Sequence, residues 1–370
     1  MKQSIRFTLA SLLVLCGLLA PARAEKNIIS VEYRDLPANF EQLPRTEQQK
    51  WNFNFRPYGA MAASVLWSDP IMQREVMAGE DAQEGKEPTA LYVCCNAEGL
   101  NLLVYAIESK MTSSLEKGEA LPTSTLECFF APGDADTSKI EHYYQFMCKA
   151  TSDKLSGVYP WFMEDRGFRS IKPYIQIESR TLENGNLVRV FIPWEPLFDR
   201  LPLEPAKRDH FWRLSVIRWA SSGGQTWGGV VHAANSAGYM RFPDFTDEQK
   251  RDIRLTVLRQ AWTRYKNVAS GTAVNPDKVT GRTEPFYLEM LEKLPQSYKN
   301  VNEDFGFRHA WLENAISERN ALGATLARFG SLTPAEQAAF YNEASDKLFN
   351  FGYDLEQAYG DYLAARFFEK

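Results

Sequence analysis

The pattern of apolar and polar residues changes near residue 245 of the chain. Before it, short runs rich in β-branched and aromatic residues alternate with turn signals, and residues 25–245 contain 14 prolines. Within one such run, Val188, Val190 and Ile192 fall on a single strand face. After it, residues 246–370 contain only 4 prolines and the apolar spacing lengthens to the helical period. The chain is therefore predicted to be mainly β plus α, with an antiparallel β-sandwich followed by a C-terminal helical bundle.

The same pattern gives the bounds of the predicted elements. Strands are predicted at residues 28–33, 61–67, 90–95, 101–108, 125–130, 142–150, 175–178, 186–192, 212–219, 229–232 and 239–242. Helices are predicted at residues 247–268, 283–294, 303–329, 334–346 and 348–368. Two of these helices begin with a capping-box pattern, at Thr246 with Gln249 and at Thr333 with Glu336.

The first 24 residues have the pattern of a secretory signal. Lys2 and Arg6 precede an apolar run, and Ala22-Arg23-Ala24 is a small-x-small cleavage site. No later stretch approaches 18 consecutive apolar residues, so no integral membrane segment is predicted after the signal is removed. We therefore expect three parts, a signal peptide at 1–24, a β-sandwich at 25–245 and a helical domain at 246–370, in a secreted or periplasmic protein.

Composition and charge narrow the possible functions. Hydrophobic residues make up 44% of the chain and charged residues 24%, which is the globular range. Without the three basic residues of the signal, 39 basic residues stand against 47 acidic ones, a formal net charge of -8. A nucleic-acid partner is not expected from such an acidic chain.

Four cysteines follow the signal, Cys94, Cys95, Cys128 and Cys148. An even number in an exported protein is compatible with disulfides, but the pairing cannot be deduced from the sequence, and buried thiols are the open alternative. Adjacent residues of a strand face opposite ways, so Cys94 and Cys95 should lie on different faces. The cysteines and the four histidines lack zinc-ligand spacing, so no metal is predicted. The motif C-x-x-C-H is also missing, so covalent haem attachment is not expected, and no cofactor is predicted.

The familiar catalytic motifs of hydrolases, zinc proteases and nucleotide-binding enzymes are missing from the sequence. This favours a non-catalytic protein. A glycan-processing hydrolase stays open as an alternative, because two carboxylates can be brought together in space from any sequence spacing. Glu127 and Glu164-Asp165 are the acids considered for that role.

Tryptophans provide the more informative candidate site. A flat indole suits the C–H face of a sugar ring, while planar polar side chains nearby can bind its hydroxyls. Trp227 follows a glycine-rich segment and lies close in sequence to Gln225, while Trp219 and Arg218 end a predicted strand. Trp161 lies in a predicted loop. For each tryptophan, packing within the protein is the alternative to ligand contact.

The order of several motifs between about residues 50 and 245 resembles the carbohydrate-binding module family 9-like β-sandwiches, which are related to DOMON domains. The motifs are Leu91-Tyr92-Val93, then Thr125–Phe130 followed by Tyr143–Phe146, then Val190–Trp194, then Trp212–Arg218 before Trp227. Ser215 stands where the family usually has an asparagine. The resemblance implies a sandwich fold and a glycan ligand, and it leaves residues 246–370 unrecognised.

Residue patterns and resemblance together predict an exported, non-catalytic protein that binds a poly- or oligosaccharide on tryptophans at the mouth of the sandwich. The predicted ligand-binding residues are Trp227, Trp219, Arg218, Gln225 and Trp161. One alternative is a scaffold whose sandwich has lost its ligand and whose helical domain binds a protein partner. Another, allowed by the DOMON resemblance, is a redox protein that holds non-covalent haem through a methionine and a histidine such as His232.

Overall fold

The structure is a computed structural model that describes residues 27–58, 87–118, 124–132, 143–161, 174–204, 211–220, 223–229, 237–269 and 308–368. The predicted signal peptide, the predicted strand at 61–67 and the predicted helix at 283–294 lie outside these ranges, as does most of the predicted strand at 229–232.

Two sheets form a sandwich. The larger sheet contains β1 (Ile28–Ser30), β3 (Arg56–Pro57), β6 (Thr125–Ala131), β7 (Tyr143–Lys149), β8 (Leu155–Trp161), β11 (Phe211–Ala220), β12 (Gly223–Trp227) and β13 (Gly238–Arg241). The smaller sheet contains β2 (Glu32–Tyr33), β4 (Thr89–Cys95), β5 (Gly99–Ile107), β9 (Gln176–Leu182) and β10 (Gly185–Pro193). The strand orders are β1-β13-β11-β6-β7-β8, with β12 pairing with β11 and β3, and β2-β4-β5-β10-β9.

Among the described residues, the α-helices follow the sandwich, apart from two short ones within it. They are α1 (Leu43–Thr46), α2 (Met111–Lys117), α3 (Asp247–Ala269), α4 (Glu313–Ala327), α5 (Pro334–Phe349) and α6 (Phe351–Phe368). A π-helical turn at Arg308–Leu312 leads into α4. The predicted fold class is therefore confirmed: a β-sandwich is followed by a helical region.

Both predicted capping boxes are present. The backbone N–H of Gln249 donates to Thr246 Oγ1 at 3.2 Å, and the Gln249 side chain accepts from the Thr246 N–H at 2.9 Å. Thr333 and Glu336 make the same reciprocal pair at the start of α5. These bonds satisfy backbone donors that the first helical turn leaves without partners.

The strands differ from the prediction in four places, one of which is the short β3, which pairs with β12 and was not predicted. The predicted strand at 28–33 is split, because β1 pairs in parallel with β13 of one sheet while β2 pairs in parallel with β4 of the other. These two pairs make the sandwich mixed rather than wholly antiparallel. β8 was not predicted because it contains Pro160, which is tolerated since β8 is an edge strand. β12 was predicted as a loop because of Gly223 and Gly224, but it forms a hairpin with β11.

The hydrophobic core is continuous from the sandwich into the helices. Between the sheets, Val188, Val190 and Ile192 are buried together, as their alternation predicts. At one end of the sandwich the Phe198 ring stacks on Phe349 of α5 at 4.3 Å between centroids. The hydroxyl of Tyr341, also in α5, donates to the backbone carbonyl oxygen of Phe198 at 2.7 Å. The helices are thus packed on the segment that follows β10. The domain boundary at residue 245 stays a prediction.

The four described cysteines are buried free thiols. Cys95, Cys128 and Cys148 belong to the core between the sheets, whereas Cys94 lies in a small cluster on the outer face of the smaller sheet. The prediction that the adjacent pair faces opposite ways is confirmed, and of the two alternatives the buried thiols are the ones found.

The buried thiols predict how stability depends on pH. Burial raises the pKa of Cys94 and of Cys148 to about 12. In the unfolded chain a thiol ionises near pH 8.5, so above that pH the unfolded state holds fewer protons than the folded one. The free energy of unfolding should therefore fall between about pH 8.5 and 12, by up to about 1.4 kcal/mol per pH unit for each thiol.

Urea unfolding at pH 7.0 and pH 9.5 tests this on the parent and on Cys148→Ala. The alanine variant will be less stable than the parent at both pH values because it leaves a small cavity. Its free energy of unfolding should, however, fall less than that of the parent between pH 7.0 and pH 9.5. If the free energy of unfolding falls equally in parent and variant, Cys148 does not contribute to the pH dependence of stability.

Candidate functional site

The candidate site lies on the outer face of the larger sheet, away from the core between the sheets. Side chains alternate along β6, so Leu126, Cys128 and Phe130 enter the core while Glu127 and Phe129 face outward. Register places further side chains on this outer face, because Ile217 of β11 is opposite Glu127, and Gln145 of β7 is opposite Phe129. Trp219 lies two residues beyond Ile217 and shares its face.

Glu127 is the centre of a polar group on this face. The Trp219 indole Nε1 donates to Glu127 Oε2 at 2.8 Å, and the Gln145 amide Nε2 donates to Glu127 Oε1. The Glu127 residue is only 7% exposed, and Gln145 is also buried. A carboxylate withdrawn from water needs such donors, and bonds to a charged acceptor are among the stronger ones. The two donors hold the carboxylate in one orientation.

Aromatic rings surround this polar group. The Tyr58 ring lies 4.7 Å from the partly exposed Trp219 ring, at an angle of 57°. The rings of Phe129 and Tyr143 are 5.8 Å apart. Burial, and to a lesser extent the charge of Glu127, raises the pKa of Tyr143 to about 12, so its hydroxyl stays protonated at neutral pH. The face thus combines flat apolar surfaces with carboxylate, amide and hydroxyl groups, the combination that polyhydroxylated ligands require.

Arg218 lies on the opposite side of β11 from Trp219, and its side chain is buried between the two sheets. Its guanidinium donates to Ser124 Oγ at 2.9 Å, to Thr89 Oγ1 at 3.0 Å and to the backbone carbonyl oxygen of Ile107 at 2.7 Å. It also forms an ion pair with Glu108 Oε1 at 3.1 Å. The predicted hydrogen bond from Arg218 to a ligand is not compatible with this arrangement, because the donors are already used to join the sheets.

Gln225 belongs to the same buried network. Its amide Nε2 donates to the backbone carbonyl oxygen of Glu87 at 2.8 Å, while its Oε1 accepts from Thr89 Oγ1 at 2.6 Å. Gln225 is directly opposite Arg218 in the β11–β12 pair, so both face the core. The structure therefore brings together two of the predicted site residues, but at the junction of the sheets rather than at an open surface.

Trp227 also differs from its predicted position at the sandwich mouth. Its side chain is fully buried in the core, and the indole Nε1 donates to Asn52 Oδ1 at 3.2 Å. Register explains this, because Trp227 is opposite Val216, whose side chain faces the core. Neither face of the Trp227 ring is free for a sugar in this arrangement. Of the two predicted tryptophans whose side chains the structure describes, Trp219 is the one that lies on the outer face.

Trp161 is the last residue of β8, and its backbone is opposite Tyr143 of β7. The structure describes the backbone of Trp161 but not its side chain. His232, the candidate haem ligand, lies outside the described residues.

Sequence reasoning did not place Tyr58 or Gln145 in the ligand-binding site. It considered Glu127 as a catalytic acid and included it in the family motif at Thr125–Phe130, but not among the ligand-binding residues. A signal was present in the pattern of 125–130, where a single acidic residue interrupts an otherwise apolar strand. In a strand with one face in the core, such a residue marks the other face as polar. The partners of Glu127 come from strands distant in sequence, so their assembly could not be read from spacing.

Within the described part of the chain, no three or more histidine, cysteine, aspartate or glutamate side chains are grouped so that they could hold a metal ion. None of the helices in those ranges is both long and apolar enough to cross a membrane.

Comparison with known proteins gives the following relationships. No family model matches the chain, and no curated protein matches it. Among solved structures, the chain is similar to a candidate carbohydrate-binding protein from Bacteroides uniformis, with 12% identity, a TM-score of 0.36 and coverage of 59% of this chain and 100% of that one.

The chain is also similar to a carbohydrate-binding module of family 9 from Caldicellulosiruptor kristjanssonii, solved with glucose and with cellotriose. The glucose complex has 10% identity and a TM-score of 0.33, over 60% of this chain and 98% of that one. The cellotriose complex has 9% identity and a TM-score of 0.32, over 60% of this chain and 96% of that one. These two structures are of the family that the sequence motifs resemble.

Proposed function

We propose that this protein is an exported, non-catalytic carbohydrate-binding protein whose ligand binds on the outer face of the larger sheet, around Trp219 and Glu127. The observation that carries the proposal is the Glu127 carboxylate, which is held between the Trp219 indole and the Gln145 amide beside aromatic rings. This group lies on the face of the sheet opposite the core between the sheets, and ligand binding would account for it.

Sugar recognition matches the chemistry of these residues. The Trp219 ring offers an apolar surface to the C–H face of a pyranose. A carboxylate has about four lone-pair positions, so Glu127 can accept from ligand hydroxyls in addition to the two donors it already has. Trp161, at the end of β8 opposite Tyr143, is proposed as a second aromatic contact. Arg218, Gln225 and Trp227 act in this proposal as the framework that fixes β11 and β12.

Two substitutions on the full chain test the proposal. Trp219→Ala removes the stacking surface and Glu127→Gln removes the charge while keeping the shape. Each should weaken glycan binding by about 1 to 3 kcal/mol, which is about five- to 150-fold in affinity. The measurement is a glycan-array screen, followed by affinity gels and titration with the best glycan, with glucose and cellotriose included as probes.

Tyr353→Ala is the matched control, because Tyr353 is an exposed aromatic residue on α6, 53% accessible. It should bind like the parent. If the parent binds a glycan and neither Trp219→Ala nor Glu127→Gln changes the affinity, the site lies elsewhere.

A scaffold function is the second candidate, and the burial of the site favours it. Glu127, Gln145 and Tyr143 are each less than 10% exposed, so the outer face is nearly closed. If no glycan binds to a folded parent protein, the scaffold function takes first place and the search turns to protein partners of the helical region. Glycan turnover in the same screen would instead indicate a hydrolase.

A further inference from the structure

The position of the Trp219 ring depends on a glycine in the neighbouring strand. Gly224 of β12 is directly opposite Trp219 of β11. A Cβ atom added at Gly224 would lie 2.9 Å from Cζ3 and 3.0 Å from Cε3 of Trp219, and 3.0 Å from the Cβ of Tyr58. These distances are shorter than van der Waals contact, so the indole occupies the space of the missing side chain.

The other edge of the indole is fixed from the opposite side. While the six-membered ring lies over Gly224, Nε1 reaches Glu127 Oε2 on β6 at 2.8 Å. The ring therefore extends across the sheet from β12 over β11 to β6. Side chains of a strand normally stand away from the sheet, and an aromatic ring that lies over a cross-strand glycine is a known exception.

Backbone conformation does not account for the glycine at this position. Gly223 and Gly228 have positive φ angles of 123° and 95°, which favour glycine. Gly224 is not among the described glycines with positive φ, and it lies in a regular antiparallel pair. An interior glycine weakens a strand and often marks a close approach. Here the approaching group is the Trp219 ring.

We propose that Gly224 is a positioning residue of the candidate site: it lets Trp219 lie across three strands with Nε1 on Glu127, so that the ring presents a single face to the ligand. The inference rests on the proposed carbohydrate-binding function, because the ring is the stacking surface in that proposal. Gly224 itself makes no contact with the ligand.

Gly224→Ala in the full chain tests this inference. In a ¹H–¹⁵N correlation spectrum each tryptophan gives one indole N–H signal, and Trp219→Phe identifies the one from Trp219. In Gly224→Ala the Trp219 signal should shift and its hydrogen exchange should become faster, because the displaced ring loses the bond to Glu127. Trp194 and Trp227 are both fully buried in the core between the sheets, so their indole signals should stay in place. Affinity for the glycan found in the screen should fall about tenfold or more.

Gly330→Ala is the matched control, because a Cβ at Gly330 meets nothing within 4 Å. It should leave both the Trp219 signal and the affinity unchanged. A double variant adds a second check: in a Trp219→Ala background, Gly224→Ala should cause no further loss of affinity, since the ring that it displaces is absent.

The possible results separate the two proposals. An unchanged Trp219 indole signal in Gly224→Ala overturns the positioning role whether or not a glycan is found. A shifted signal with unchanged affinity also overturns it. If the parent binds no glycan but the signal shifts, Gly224 positions the ring and the proposed function is the part that fails.

Discussion

Replacing Arg218 with methionine is expected to lower the free energy of unfolding by about 3 to 5 kcal/mol, the usual cost of removing one partner from a buried ion pair. The Arg218 side chain is 1% exposed and that of its partner Glu108 is 3% exposed. Methionine would leave the Glu108 charge buried without its counter-ion. It would also leave the carbonyl oxygens of Ile107, Glu87 and Pro88 without this donor. Urea unfolding followed by circular dichroism at pH 7 measures the loss.

Arg45→Met is the control for this experiment. Arg45 and its partner Glu183 are 71% and 72% exposed, and a surface pair contributes about 0 to 1 kcal/mol. Arg218→Lys is informative as well, because lysine keeps the charge but cannot reproduce the planar guanidinium bonds to several strands. If the free energy of unfolding of Arg218→Met lies within about 1 kcal/mol of the parent's, the structural role assigned to Arg218 is contradicted.

Trp227→Ala is expected to cost about 3 to 5 kcal/mol of stability, as large-to-small changes at fully buried aromatic positions do. Its ring is 0% exposed, and an added Cβ at Gly238 would lie 2.8 Å from its Cζ3, so the indole fills the space beside that glycine. Alanine would leave a cavity and would remove the donor to Asn52 Oδ1. Urea unfolding measures the effect, with Trp227→Phe as a milder variant that should lose less.

The same variant separates the buried role of Trp227 from the stacking role predicted by the sequence. If Trp227 stacks on a sugar, Trp227→Ala should stay as stable as the parent and lose glycan affinity. If it is a core residue, stability falls, and any loss of affinity follows from unfolding. Trp219→Ala should lose affinity while the protein stays folded, and it should lose less stability than Trp227→Ala: the ring is partly exposed and lies outside the core between the sheets, so the main cost is the lost donor to Glu127.

Local signals were sufficient for much of the architecture. Capping boxes depend only on residues three apart, so Thr246 and Thr333 located the starts of α3 and α5 from the sequence. The change in apolar spacing near residue 245 separated strands from helices, since the two periods differ. Alternation also placed Val188, Val190 and Ile192 in the core. In each case the physical cause acts within a few residues of the signal.

The residues of the candidate site are brought together by pairing between strands, and no local sequence pattern predicts those pairings. Gly223-Gly224 reads equally well as a turn or as the start of a strand, and only the hairpin with β11 decides between them. That register places Gln225 and Trp227 on the core side. Arg218 and Trp219 are neighbours in β11, but their side chains lie on opposite faces of the sheet. Arg218 binds groups of both sheets in the interior, whereas the Trp219 ring lies on the outer face.

The sequence by itself determined the change from strands to helices near residue 245, the helix caps at Thr246 and Thr333 and the alternation of buried positions in β10, because short-range sterics and hydrogen bonding fix them. Only the tertiary structure decided which tryptophan faces outward and which groups meet Glu127. Those outcomes follow from the register of strands distant in sequence, and in a sheet a change of one residue moves a side chain to the opposite face.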